Sequence, residues 1–138
     1  MPSPYETSHI LYVADKDDLK GRILVERLRN AGEEVKITHT GAEAIDHLAT
    51  YEDSISLILA SPQTLHTEGY LAIRMAFDAG IPTLGISLPA HQIFDEETAS
   101  HKEAQLKRAG AQAIVRPPFH FSKLDDLILR HKRDVEMK

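Results

Sequence analysis

A chain of 138 residues that is 42% hydrophobic has the material for one globular domain and not for two. Sixteen basic and twenty-one acidic side chains, a net charge of −5, argue against a phosphate-rich partner, so no nucleic acid contact is expected of this domain. The absence of cysteine excludes disulfides and thiolate metal sites and fits a reducing, cytoplasmic setting. The opening MPSPYETS lacks the charged and apolar stretches of a secretory leader, and no apolar run reaches the ~20 residues of a membrane helix, so no membrane contact is expected.

The first element is HILYVA, residues 9–14, an aliphatic run that suits a strand buried on both faces. DKDDLKGRILVERLRNAG follows, with Leu19, Ile23, Leu28 and Ala31 at helical spacing, acids in its first turn and Gly32 as a stop signal. EVKITH, from Glu34, alternates as an edge strand does, and Thr40 then caps a helix GAEAIDHLATYE with Ala44, Ile45, Leu48 and Ala49 inward. Ile55–Ala60 is the next buried strand, and a helix runs from about Glu68 to the glycine at 80. IPTLGISL, residues 81–88, is a strand opened by a proline that an internal position would not tolerate. A helix over about 97–109 ends at Gly110, AQAIV over 111–115 is the fifth strand, and FSKLDDLILRHKR carries Phe121, Leu124, Leu127 and Ile128 as its apolar face. Ser122, three residues before Asp125, resembles a capping box.

Five apolar strands alternating with five amphipathic helices predict a five-stranded parallel sheet covered on both faces. Right-handed crossovers make it doubly wound and flavodoxin-like, with any ligand site at the carboxyl ends of the strands.

Four stretches at those ends, ILYVADKDD, SLILASPQTLHTEGY, IPTLGIS and GAQAIVRPPF, together resemble the receiver domain of two-component response regulators. The likeness spans about residues 9–132, and the eight residues from Ser61 to Gly69 match the family's spacing between phosphoacceptor and helix-opening glycine. It implies a domain over 9–133, with 1–8 as a flexible tail and 134–138 as a C-terminal tail. It also identifies the family's phosphorylation pocket, which here is degenerate. One acid of the metal-binding pair is replaced by Ala14 and the other is kept as Asp15. The phosphoacceptor position holds Ser61, the switch hydroxyl is Ser87, the aromatic switch position is Ile114, and the lysine position is Pro117 after Arg116.

Receiver phosphorylation uses a carboxylate nucleophile and Mg²⁺ gathered by carboxylates. A serine without a base in reach is a poor nucleophile. Removing two acids and the lysine together avoids leaving an unpaired lysine in a partly buried cleft. The expectation is therefore an atypical receiver, or pseudo-receiver, that is not an enzyme and has no catalytic residue, no cofactor and no bound metal. It would act as a fixed shape that contacts a sensor kinase, a regulator or an output protein in bacterial signal transduction or transcription regulation, independently of phosphorylation.

Partner contact is assigned to Ile93, Phe94, His101, Gln105, Arg108 and Arg116. Twenty-two residues separate Ser87 from Gly110, more than receivers usually spend there. Ile93 and Phe94 in that segment either fold over the vacated pocket or stand out as an aliphatic and aromatic anchor. In the family this loop feeds the face made by the fourth helix, fifth strand and fifth helix, which makes a homodimer through that face a further expectation. Other readings are a small-ligand or metal sensor, with His66, His91 and His120 beside Asp15, and a Ser61 phosphorylated by a kinase or activated by His66. Residual phosphotransfer through Asp15 or Asp17 requires a slipped register. The closing Arg130-His131-Lys132-Arg133 reads as a solvated tail or a contact for an acidic partner.

Overall fold

The computed structural model describes residues 8–13, 19–61, 67–86, 96–115 and 121–133. In chain order these form β1 (His9–Val13), α1 (Leu19–Asn30), β2 (Val35–Ile37), α2 (Gly41–Tyr51), a 3-10 turn (Glu52–Ser54), β3 (Ile55–Ala60), α3 (Thr67–Asp78), β4 (Thr83–Ile86), α4 (Glu96–Ala109), β5 (Ala113–Val115) and α5 (Phe121–His131). All strand pairs are parallel, in the order β2-β1-β3-β4-β5. The chain thus adopts the expected flavodoxin-like, doubly wound α/β fold. β1 and β3, at the centre, are buried at every position, as strands covered on both faces must be.

One core lies between the sheet and α1 and α5. There Leu24, Val25, Leu28 and Ile128 pack on Ile10, Tyr12, Leu57, Leu59, Leu84 and Ile86. On the opposite face Leu48, Ala72, Ile73, Ala76 and Leu106 from α2, α3 and α4 cover Leu11, Val13, Ile58 and Ala60. Two helix faces differ from the sequence reading. Ile23 is 54% exposed and Ala31 is exposed, because α1 turns Gly21, Leu24, Val25 and Leu28 inward at i, i+3, i+4, i+7. The run Ile23-Leu24-Val25 fits either phase by periodicity, and packing selects one. Ala49 is likewise exposed, and His47 takes the inward place beside Ala44 and Leu48.

Helix ends follow local chemistry. Gly32, at φ 95°, ends α1 in a left-handed turn in which the Glu33 amide donates to the Leu28 carbonyl at 3.0 Å. The Thr40 hydroxyl caps α2 by accepting from the Glu43 amide at 3.1 Å. Gly41 lets α2 and α3 touch: a Cβ there would lie 2.5 Å from backbone atoms of Glu68 and Gly69.

The amino edge of the sheet is held by a bulge and two cations. His9 pairs with Ile55 but Ile10 with Leu57, so Ser56 is an extra residue, and its hydroxyl donates to the His9 carbonyl at 3.0 Å. Just past α5, Arg133 donates from Nε to the Ile55 carbonyl at 2.8 Å and from Nη2 to the Glu52 carbonyl at 2.7 Å. Lys132 Nζ pairs with both Glu33 carboxylate oxygens, at 3.0 and 3.2 Å. The basic cluster expected to be solvated or to meet a partner therefore gives two of its cations to the fold itself. At the far edge of the sheet, Arg29 closes β2 by donating Nη2 to the outward Val35 carbonyl at 2.8 Å.

Candidate functional site

The sheet register brings the strand ends together at the carboxyl edge. Ala60, the last residue of β3, pairs with Val13 of β1 and with Gly85 of β4, and Gly85 pairs in turn with Ile114 of β5. Ser61 follows directly. It is 1% exposed and is engaged with neighbouring groups rather than free. A neutral hydroxyl therefore occupies a sealed position where an ionised carboxylate would need compensating cations or metal.

Ile114 is half-buried and packs with the core beneath α2, α3 and α4. A Cβ on Gly85 would meet Leu106 Cδ2 at 2.7 Å and Ile114 Cγ1 at 3.0 Å. The Ile114 side chain, where the resemblance expects an aromatic switch residue, is thus set into the strand–helix packing beside a glycine. Ala14, Asp15, Ser87 and Pro117, the other positions expected in a degenerate pocket, lie outside the described residues, as do His66, His91 and His120 and the aspartate at 17. Among the described residues no three His, Cys, Asp or Glu side chains are grouped to hold a metal ion.

Of the six residues expected to contact a partner, His101, Gln105 and Arg108 are exposed on α4, at i, i+4 and i+7, and so form one stripe of the helix. The inner side of the same helix carries Leu106 and Glu103, a buried and engaged carboxylate that the sequence reading did not single out. Ile93, Phe94 and Arg116 lie outside the described residues.

The other polar constellation is at the opposite, amino edge, and sequence reasoning missed it. His9 and His47, 1% and 7% exposed, face each other with their Nε2 atoms 2.7 Å apart. The Tyr51 ring lies 4.7 Å from that of His47 and 6.3 Å from that of His9, centroid to centroid. Burial, then the neighbouring His9 and Lys36, push the His47 pKa down from 6.5 to about 4, against a smaller upward pull from Glu43. The available signal was helical spacing: His47 and Tyr51 continue the Ala44 face of α2.

No protein-family model and no curated protein matches the chain. Solved structures do resemble it. One is the Vibrio cholerae chemotaxis protein CheY4, with 19% identity and a TM-score of 0.64 over 91% of this chain and 98% of that one. A CheY-like response regulator receiver domain protein from Methanospirillum hungatei gives 23% identity and 0.63 over 90% and 92%. A probable two-component response regulator/GGDEF domain protein gives 18% and 0.66, with 92% of this chain covering 50% of that one. At these identities the likeness establishes a CheY-like fold.

Proposed function

We propose that the chain is a pseudo-receiver: a CheY-like module of bacterial two-component signalling or transcription regulation that works by protein–protein contact, without phosphorylation. The observation that carries this is Ser61. It is the residue that β3 delivers to the carboxyl edge, and it is a sealed neutral hydroxyl at the position where the resemblance puts the phosphoacceptor. The resemblance puts Ala14 and Pro117 at two further pocket positions, which on this reading means that one acid, the nucleophile and the lysine are replaced together. With no phosphoryl group to favour one conformation over another, the domain has no differential ligand to shift its population.

Contact runs through the stripe His101, Gln105 and Arg108 on α4, and the sequence assigns Ile93, Phe94 and Arg116 to the same role. The partner is a sensor kinase, a regulator or an output protein, and a second copy can use the same face. That this chain covers half of a response regulator/GGDEF protein is in keeping with a module that hands its shape to something else. No described helix is long and apolar enough to cross a membrane, and a cytoplasmic site of action accords with the absence of cysteine.

Amide-resolved NMR with Mg²⁺, then Mg²⁺ plus beryllofluoride, tests the reading. The Ser61 amide and the α4 amides are expected to stay in place. Shifts at Ser61 that spread to His101–Arg108 would overturn it. Ser61→Asp is expected to lower stability by about 1–3 kcal/mol without restoring the response, since it buries an acid lacking partners.

A further inference from the structure

We propose that the buried His9–His47 pair is a proton-sensitive latch on the segment where the chain leaves α5. The argument goes beyond the pseudo-receiver reading and does not depend on it. It begins with the pair itself. Two neutral imidazoles whose Nε2 atoms are 2.7 Å apart share one N–H···N bond, one ring donating and the other accepting. If both rings are charged, two N–H groups point at each other across that distance. Closed, the pair can hold one proton as an N–H⁺···N bond but resists a second; opened to water, both rings can be charged.

The groups around His47 add to this resistance. His9 faces it from β1. Lys36 of β2 acts on it while pairing with Glu43 Oε1 at 3.5 Å. On α2 itself Glu43 and Tyr51 are its neighbours, and the following turn carries the exposed Glu52 and Asp53. Among the described residues Glu43 favours the charged ring, and its carboxylate is already shared with Lys36 and the His39 amide.

Two short connections lead from the pair to the chain's exit. His47 stacks on Tyr51, the residue just before Glu52, whose carbonyl receives Arg133 Nη2 at 2.7 Å. The His9 carbonyl receives the Ser56 hydroxyl, and the Ser56 carbonyl receives the Arg133 amide at 2.9 Å. Separating the rings displaces both ends of the cradle that holds Arg133. Opening linked to one proton becomes up to ~10-fold more populated for each pH unit below the ordinary histidine pKa.

Hydrogen exchange of the whole chain, read as protection factors between pH 7.5 and 5, tests this. The Arg133 amide is expected to be less protected than the core amides of Leu11 and Ile58, and to lose up to ~10-fold protection per pH unit below 6.5. In His47→Phe that pH dependence flattens while Arg133 stays less protected than the core. Arg133 protection equal to that of the core would show only global unfolding, and overturn the latch. So would Arg133 protection that does not change with pH in the wild-type chain. Ring ¹⁵N spectra of the wild-type chain give the His47 titration directly, so the test survives a His47→Phe that does not fold. A His47 titrating near its ordinary value, with Arg133 still protected, also overturns the proposal.

Discussion

Thr83 begins β4 with its hydroxyl buried, and that oxygen has no hydrogen-bond partner among the described residues. A hydroxyl taken out of water without a partner carries its full desolvation cost, whereas a methyl group in the same place carries none. Thr83→Val is therefore expected to raise stability by about 1 kcal/mol, visible as a higher urea midpoint at unchanged m-value. A loss of stability would show that the oxygen is bonded after all. The sequence announced a strand at this position but not the isolation of one oxygen in it, which depends on what β5 and the helices bring near. Ser61 was legible differently. Its place at the end of an apolar run and its distance from Gly69 located it, while its burial required the fold.

Among the elements, the tightest joint is between α2 and α3. A methyl group on Gly41 would fall 2.5 Å from the backbone at Glu68 and Gly69, where no side-chain rotation can relieve it. Gly41→Ala, ordinarily favourable in a helix, is expected here to cost about 1–3 kcal/mol by forcing the helices apart. Equilibrium urea unfolding measures this, and an unchanged or raised stability would mean that α2 shifts freely. The strands, the Thr40 cap and the Gly32 stop could be read from the sequence because each depends on residues close in the chain. The inward faces of α1 and α2 could not be fully read, since Ile23 and Ala49 satisfy helical periodicity as well as their buried neighbours do. The bulge at Ser56 was also out of reach: it is defined by pairing with β1, forty-seven residues away in the chain.

For the molecule as a whole, His47 couples stability to pH. Its folded pKa is about 4 against 6.5, so between those values the unfolded chain binds a proton that the folded chain refuses. The contribution is complete above pH 6.5 and is lost as the pH falls toward 4. The wild-type urea midpoint is expected to fall more steeply over that window than that of His47→Phe, the divergence reaching about 1–3 kcal/mol. Parallel profiles would remove His47 from the account. Parallel pairing and two-faced coverage were legible in the alternation of apolar strands and amphipathic helices. The use of Lys132 and Arg133 to tie the end of α5 to Glu33 and the 3-10 turn was not, because charge patterning does not say which cations find partners at home. The Arg29 clasp on the Val35 carbonyl has a consequence for crowded solutions. A further strand joining at the β2 rim would first have to displace Arg29 from that carbonyl, so the clasp weighs against side-by-side growth there, while the β5 rim has no such clasp among the described residues.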